Sequence, residues 1–253
     1  MEEGPTEAGA PEEGARTGRR RFRQSLPRPP QAVRLARPAA RFPGLLPPEV
    51  AAAVEPGRIE AALARLADHG EAAEGSSRAA VLLALGWASD GSSPRLLLIR
   101  RAQHLRANPG EIAFPGGLIE PGESVFEAAL REAEEEVGLD RGAVRIIGRL
   151  PATSRRSRRG EIAPVVGLVE GAPSLHLSEA EVEESFLVEL GELFDPASYW
   201  EEEWAPGEKE AWPMHFFDRG EDVIWGASAR ILVSFLEALA AEERAGSAGD
   251  RTS

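Results

Sequence analysis

Cysteine is absent from this chain, and lysine occurs once, at Lys209. Without a thiol the protein can form no disulfide, no thiolate metal site and no cysteine nucleophile. Histidine is also scarce, with four in the chain. His104, His176 and His215 do not stand at metal-ligand spacing, so we expect them to be structural or exposed. Neither residue type therefore suggests a covalent protein intermediate.

Long apolar runs are missing too. No run approaches the ~20 residues that a membrane-spanning helix needs, and no signal-peptide core follows the acidic, Gly- and Pro-rich start. Apolar residues still make up 42% of the 253, which suffices for a packed core. The sequence thus predicts a cytoplasmic protein that does not associate with membranes.

The chain has no excess of positive charge, since 42 acidic residues outnumber 29 basic ones and the net charge is −13. A general nucleic-acid binder needs a basic surface to neutralise phosphates, so this class is disfavoured. A phosphate-ester substrate is not excluded, since a bound metal ion can supply positive charge locally.

The chain divides into four parts by composition. Residues 1–50 are rich in Gly, Pro, Ala, Glu and Arg and predict a disordered N-terminal arm. The arm contains a basic run, so it could contact RNA or a protein partner. The alternative is that it is a solvated tail without a binding role. A short helical lead-in is predicted over 51–77, the main folded domain over 78–242, and a flexible tail over 243–253.

Strand and helix patterns alternate within the main domain. A short helix is predicted before it, near 57–69, and an amphipathic helix closes it over 227–241. Strands interleaved with helices predict a mixed β-sheet sandwiched by helices, although the pattern alone leaves an α+β topology open. The predicted strands cover 79–87, 95–100, 143–150, 162–170, 184–189, 212–218 and 222–225.

A capped helix follows the Gly-rich corner at 115–117. Ser124 is a good N-cap and Glu127, three positions on, completes a capping box. Gly138 is a natural C-terminal cap, because glycine adopts a positive φ readily. Phe126, Ala129, Leu130, Ala133 and Val137 recur at helical spacing and predict a face that packs on the core.

Three carboxylates share another face of this helix. Glu132, Glu135 and Glu136 stand at i, i+3 and i+4 near its C-terminus, where the macrodipole prefers cations. Each like-charge pair costs roughly 0.2–0.5 kcal/mol. The alternative is that these carboxylates form a solvent-exposed acidic face without a binding role. A hard divalent cation such as Mg²⁺ would remove both penalties, because it seeks carboxylate and carbonyl oxygens.

The spacing around these carboxylates is specific. Gly117, five residues, Glu123, seven residues and then REAEEEVGL over 131–139 resemble the Nudix box, G-x5-E-x7-R-E-U-x-E-E-x-G-U with U apolar. The resemblance implies an α/β/α sandwich with a mixed β-sheet. It also implies a metal-dependent enzyme that hydrolyses the pyrophosphate bond of a nucleoside diphosphate linked to another moiety.

The resemblance assigns roles to individual residues. It implies that Glu132, Glu135 and Glu136 bind Mg²⁺ or Mn²⁺ together with the backbone carbonyl of Gly116. Glu135 is counted with the catalytic residues as well as with the ligands. Arg131 would hold the loop onto the helix and orient the ligand carboxylates, with Glu123 as its partner.

A general base is required in addition, and in several branches of the family it lies outside the box. Glu181 and Glu184, just before a predicted strand, are the candidates, with Glu181 preferred. Either could also be a further metal ligand. The alternative is that this acidic loop is merely solvated.

A second motif precedes the box. The residues LLIRRA over 97–102, Arg106, Gly110 and FPGG over 114–117 resemble the motif LLTxR(S/A)x3Rx3Gx3FPGG of the coenzyme A pyrophosphatase subfamily. Ile99 departs from it, standing where the motif has Thr. The resemblance implies cleavage of CoA to adenosine 3′,5′-bisphosphate and 4′-phosphopantetheine.

Coenzyme A carries an extra 3′-phosphate, so its enzyme needs cations beyond the metal site. Arg101 and Arg106 are candidates, because guanidinium groups pair bidentately with phosphate. Arg155 and Arg156, in an arginine-rich loop, are further candidates, with a solvated connection as the alternative. Tryptophans of the acidic segment could stack on adenine or pantetheine, or pack in the core or a homodimer: Trp200, Trp204 and Trp212.

Three other functions remain open. Within the enzyme class the alternative is an ADP-ribose or dinucleotide pyrophosphatase. From another class, the domain could be a non-catalytic nucleotide sensor of Nudix type, although such proteins commonly lose box carboxylates and this chain keeps them. An RNA-processing hydrolase that uses the basic arm is the third possibility, and the acidic net charge counts against it.

Overall fold

A computed structural model describes residues 26, 33–34, 54–67, 77–87, 93–154, 160–171, 173–205 and 211–249. Within these residues the α-helices are α1 (Pro56–Ala67), α2 (Val125–Val137), α3 (Leu190–Leu193) and α4 (Gly226–Gly249). The strands are β1 (Val33–Arg34), β2 (Ser77–Trp87), β3 (Pro94–Arg101), β4 (Ile112–Ala113), β5 (Gly116–Leu118), β6 (Val144–Arg149), β7 (Thr153–Ser154), β8 (Glu161–Val169), β9 (Val182–Glu189), β10 (Tyr199–Trp204), β11 (Trp212–Arg219) and β12 (Asp222–Trp225). Among the described helices, none is both long and apolar enough to cross a membrane.

The main sheet has eight strands and mixed polarity. Its path runs β4-β3-β2-β8-β6, with β5 paired to β2, β7 to β8 and β9 to β3. β2 pairs with β8 in parallel and with β3 and β5 antiparallel. Because β2 contacts three other strands, it lies at the centre of the sheet and brings the glycine corner of β5 onto the main fold.

Helices cover both faces of this sheet. Side chains of a strand alternate between faces, so Leu82 and Ala84 of β2 pack with Ala129 of α2 on one side. Leu83 and Leu85 face the other side and pack with α1 and α4. These strand residues are fully buried, as expected for a sheet between two helical layers. The predicted α/β fold with a mixed sheet between helices is confirmed.

A second, antiparallel sheet has the order β1-β10-β11-β12. Its strand β10 spans the acidic segment, where the sequence predicted no strand. An acidic segment is normally expected at the surface, but here two consecutive glutamates, Glu201 and Glu202, are buried. Glu202 accepts hydrogen bonds from the indole Nε1 of Trp200 at 3.0 Å and of Trp204 at 2.8 Å. Glu201 accepts one from the Tyr199 hydroxyl at 2.6 Å. These partners offset the cost of removing charge from water.

The ends of the chain differ from the prediction. Val33–Arg34 pairs with Glu202 and Glu203 of β10, and Leu26 packs against the apolar face of the second sheet. These three residues contact the second sheet, and the rest of the arm that the sequence predicted to be disordered lies outside the described residues. At the other end, α4 continues to Gly249, past the predicted end at 241.

Candidate active site

Helix α2 begins and ends as its caps predict. The Ser124 hydroxyl accepts a hydrogen bond from the Glu127 N–H at 3.2 Å, and the Glu127 carboxylate accepts one from the Ser124 N–H at 2.9 Å. Gly138 has φ 68° and donates its N–H to the carbonyl of Glu134 at 2.9 Å. These contacts fix the rotation of α2, and with it the direction in which its carboxylates point.

Three carboxylates converge beside this helix. Oxygen atoms of Glu132, Glu136 and Glu181 lie within 4.8 Å of one another. Glu181 belongs to the loop before β9 and is exposed. Its carbonyl accepts the N–H of Ala102 at 2.9 Å, which ties this loop to the end of β3. The candidate base that the sequence preferred thus lies at the carboxylate cluster, defined here as these three glutamates.

Burial controls the charge of the cluster. Glu136 has a side chain 1% exposed, and burial raises its pKa to about 8. The Gly116 N–H at 2.9 Å and the Arg101 Nη1 at 3.7 Å favour the ionised form but do not compensate fully. Burial likewise raises the pKa of Glu132 despite its contact with Arg131. An all-oxygen set of close, incompletely neutralised carboxylates fits a hard divalent cation.

Two glycines form the wall behind the cluster. A Cβ on Gly117 would lie 2.4 Å from the carboxyl carbon of Glu132, and one on Gly116 would lie 2.3 Å from the carbonyl oxygen of Ala80. At Gly116 the contact is with backbone, so this position needs glycine. At Gly117 a Cβ would force the Glu132 carboxylate to move. Gly116 donates its N–H to Glu136. The metal-ligand role of its carbonyl stays a prediction.

Arg131 connects the loop to the helix. Its Nε and Nη2 bind both oxygens of Glu123, at 2.9 and 3.0 Å, and its Nη2 also binds the Leu118 carbonyl at 3.0 Å. Its Nη1 binds Glu132 at 2.9 Å and Glu135 at 3.1 Å. The hydrogen bonds from Arg131 hold the pKa of Glu123 below its usual range. Arg131 thereby holds the Glu132 carboxylate in a fixed orientation beside the loop.

Glu135 lies at the margin of this arrangement. Its side chain is 56% exposed and contacts Arg131. It is not among the three carboxylates that converge. Its assignment as a metal ligand stays a prediction, and in the described residues Glu181 takes the third place in the cluster.

Glu184 lies on the other side of the sheet. It contacts the Nη2 of Arg100 at 3.2 Å, directly opposite on β3. Arg100 itself is buried against Asp222 of β12, far from the face that α2 covers. The structure therefore brings one of the two candidate bases, Glu181, to the cluster and leaves Glu184 in an ion pair.

The predicted arginines are dispersed. Arg101 reaches Glu136, whereas Arg106 is exposed on the loop after β3. Arg155 and Arg156 lie outside the described residues. Arg100, which the sequence did not single out, is fully buried. The sequence did contain an indication of this buried arginine. Arg100 directly follows the apolar run 97–99, and a charged residue in a buried strand needs a partner of opposite charge.

Comparison with known proteins agrees with this geometry. The NUDIX domain model matches residues 77–211. The chain belongs to the Nudix family. It is similar to "Uncharacterized Nudix hydrolase NudL" of Photorhabdus laumondii, with 38% identity over 141 residues that cover 55% of this chain and 74% of the relative. The NudL of Yersinia enterocolitica also has 38% identity over 141 residues, covering 55% and 71%.

Solved structures of the family also resemble this Nudix hydrolase. A MutT/nudix family protein from Enterococcus faecalis has a TM-score of 0.43 and 18% identity, with 73% of each chain covered. A binary complex of the Caenorhabditis elegans Ap4A hydrolase has a TM-score of 0.41 and 16% identity, covering 68% of this chain and 99% of the other.

A cavity of ≈ 570 Å³ lies on the far side of the glycine pair in this Nudix hydrolase. Two of the predicted tryptophans, Trp204 and Trp212, line it, together with Trp225, which the sequence did not single out. Trp200 is instead stacked on Phe216, with ring centroids 4.9 Å apart and planes at 9°. Core packing is therefore the role of Trp200, whereas the other tryptophans form a cavity wall.

Proposed function

We propose that this Nudix hydrolase cleaves the pyrophosphate bond of coenzyme A, giving adenosine 3′,5′-bisphosphate and 4′-phosphopantetheine, with Mg²⁺ or Mn²⁺ as cofactor. One observation carries the substrate assignment. Arg101, from the motif upstream of the box, lines the cavity and also lies 3.7 Å from Glu136 of the carboxylate cluster. A guanidinium between a ligand cavity and a hydrolytic centre is well placed to bind a substrate phosphate.

The rest of the upstream motif shapes the loop beside Arg101. The Arg101 N–H donates to the Glu111 carbonyl and its own carbonyl accepts the Gly110 N–H, both at 3.0 Å. Gly110 has φ 67°, and a Cβ there would meet the Gln103 side-chain amide at 2.5 Å. Gly110 is thus required for this loop to turn back and pair with the backbone of Arg101. This supports a role for the motif in forming the substrate site.

Glu132 and Glu136 would hold the divalent ion, with Glu181 beside them. When bound, Mg²⁺ or Mn²⁺ supplies positive charge that stabilises the pyrophosphate and lowers the pKa of an attacking water. Arg131 keeps Glu132 in place through its bond at 2.9 Å, and Glu123 in turn keeps Arg131 in place. The ligand carboxylates are thereby oriented before substrate binds.

Glu181 is the group best placed to act as general base. It is the exposed member of the cluster, so its carboxylate can face a water molecule. In the proposed reaction that water attacks a phosphorus atom, its proton passes to Glu181, and the bond from phosphorus to the bridging oxygen breaks. Arg101 stabilises the phosphate oxygens on which charge develops. The bridging oxygen leaves with the phosphate that is not attacked, and the products are adenosine 3′,5′-bisphosphate and 4′-phosphopantetheine.

Turnover of four substrates tests the proposal. Coenzyme A, ADP-ribose, NADH and a capped RNA are incubated side by side with Mg²⁺ and with Mn²⁺, and the products are separated by chromatography. The proposal expects coenzyme A to be cleaved fastest, into the two stated products. Glu136→Gln is the inactive control, because it removes a ligand carboxylate.

Other outcomes separate the alternatives. Cleavage of ADP-ribose or NADH with coenzyme A inert would keep the hydrolytic chemistry and replace the substrate. Cleavage of the capped RNA alone would favour the RNA-processing hydrolase. Binding of nucleotides without turnover of any substrate would favour a non-catalytic sensor.

A further inference from the structure

The tryptophan-lined cavity is the part of the site to which the hydrolytic steps above assign no ligand. Its volume of ≈ 570 Å³ lies within the range of about 300–1,000 Å³ that small-molecule sites occupy. It opens between the loop after β3, strand β5, the second sheet and the start of α4. The two sheets therefore form the site together.

One wall of the cavity is aromatic because of the strand register. Trp204 of β10 lies opposite Trp212 of β11, so their side chains share a face of the second sheet. The Trp204 and Trp225 rings have centroids 6.0 Å apart, at 41°. The hydrogen bond from the Trp204 Nε1 to Glu202 at 2.8 Å fixes the orientation of that ring. Trp212 and Trp225 are half-buried, and each lines the cavity.

The cavity also has polar lining residues, which include Arg101, Asn108 and Glu111. Two lining residues reach the carboxylate cluster: Arg101 lies 3.7 Å from Glu136, and the Gly116 N–H lies 2.9 Å from it. A ligand with a flat ring at one end and phosphate at the other matches this lining, since the ring can lie against indole faces while the phosphate reaches Arg101.

We propose that the cavity binds the nucleobase of the substrate, stacked against Trp212 and Trp225, with the adjoining phosphates directed to Arg101. This inference rests on the proposed hydrolysis of a nucleotide-linked pyrophosphate. It assigns recognition to the nucleotide half, so compounds that share this half and differ in the other are bound with similar affinity.

The pantetheine half fits the cavity less well. Its chain carries two amide groups whose donors and acceptors need partners once they leave water. The aromatic wall consists of Trp204, Trp212 and Trp225 with Met214 beside them, and offers flat apolar faces. Such faces suit a base, because every base has a π-face that stacks on an aromatic ring.

Calorimetric titration of the whole chain in Mg²⁺ tests the assignment, with AMP and 4′-phosphopantetheine as ligands. Neither has a pyrophosphate bond, so neither is turned over. AMP is expected to bind, and phosphopantetheine is expected not to displace it. Trp212→Leu and Trp225→Leu should weaken AMP binding by about 5- to 100-fold, whereas Trp212→Phe and Trp225→Phe keep it within about fivefold, because an aromatic face is retained.

Trp200→Phe is the matched control, since Trp200 lies in the same sheet but off the cavity; its AMP affinity should not change. Melting temperatures confirm that each variant is folded. The inference is overturned if AMP does not bind, if folded Leu variants bind it as the parent does, or if phosphopantetheine displaces it. Tryptophan-dependent AMP binding without cleavage of coenzyme A would instead overturn the proposed substrate and keep the nucleobase site.

Discussion

Arg100 and Asp222 form a bidentate ion pair, with Nη1–Oδ1 and Nη2–Oδ2 distances of 2.5 and 2.6 Å, across 122 positions of sequence. The pair joins β3 of the main sheet to β12 of the second. The hydrogen bond to Asp222 is the largest cause that raises the pKa of Arg100. Phe186 adds a cation–π contact at 5.2 Å. This pair fixes the second sheet, and with it the tryptophan wall, relative to the carboxylate cluster.

Breaking this pair should destabilise the protein strongly. Asp222→Asn removes the bidentate partner of a guanidinium with 1% exposure and leaves it only the half-exposed Glu184 and Glu183, and breaking a buried pair in this way costs about 3–5 kcal/mol. Urea denaturation measures the loss. Arg95→Met is the control, because the side chains of the Arg95–Glu189 pair are 35% and 42% exposed and solvent-accessible pairs contribute about 0–1 kcal/mol. Equal losses in the two variants would contradict a structural role for Arg100.

Stability of the metal-free protein should fall as pH rises through the neutral range. The Glu136 carboxyl loses its proton near pH 4.5 in the unfolded chain, but its folded pKa is about 8. Between these values the folded state binds more protons, so the free energy of unfolding decreases with pH. The full loss is on the order of 3–5 kcal/mol, and it is complete above the folded pKa.

Melting curves in EDTA at pH 6 and pH 9 measure this slope. Glu136→Gln should flatten it and stabilise the protein at pH 9, while Glu134→Gln, at an exposed position of the same helix paired with Arg141, keeps it. Saturating Mg²⁺ should reduce the loss, because the ion binds the deprotonated carboxylates. A slope that survives in Glu136→Gln would assign it to other groups.

Gly117→Ala should inactivate the enzyme without unfolding it. The new Cβ would meet the Glu132 carboxylate at 2.4 Å and push it out of the cluster. A displacement of about 1 Å can lower the rate on the order of 100-fold. Gly57→Ala is the control, since Gly57 lies in α1 with open space at its Cβ. The measurement is the turnover rate of the best substrate for both variants, which should fall in Gly117→Ala and stay normal in Gly57→Ala. Normal turnover in Gly117→Ala would show that the cluster tolerates the methyl group.

Arg131→Lys should weaken metal binding more than it weakens the fold. Lysine keeps the charge but cannot bind both oxygens of Glu123 and also Glu132. Loss of such an orienting contact costs about 10- to 100-fold in metal affinity or activity. Calorimetric titration with Mn²⁺ gives the affinity. Arg141→Lys is the control, because Arg141 pairs with Glu134 on the exposed side of α2. This variant should leave the Mn²⁺ affinity unchanged.

Sequence patterns predicted well what depends on near neighbours. The Ser124–Glu127 capping box and the αL cap at Gly138 involve contacts over three to five positions, and the structure has both. The apolar run over 79–87 likewise predicted a strand, which the structure has as β2. Contacts between residues close in sequence determine these elements, so the sequence pattern was sufficient to predict them.

The parts that sequence reading missed depend on distant partners. Glu181 and Glu184 stand three positions apart, yet the pairing of β9 with β3 sends Glu184 to Arg100 while Glu181 reaches Glu136 and Glu132. At the consecutive glutamates of β10 the sequence predicted no strand. Their indole and hydroxyl partners stand two positions away, but the segment becomes a strand by pairing with β11. In both cases strand pairing, which a single sequence does not specify, decided the environment.

The parallel pairing of β2 with β8 has a kinetic consequence. These strands are separated along the chain by β3, β5, α2 and β6, so the centre of the sheet forms only after a long loop has closed. Non-local parallel pairing of this kind folds slowly. Glu132 and Glu136 come from within that loop, whereas Glu181 follows β8. The helix carboxylates are therefore expected to be in place before Glu181 joins them, which makes assembly of the carboxylate cluster a late event in folding.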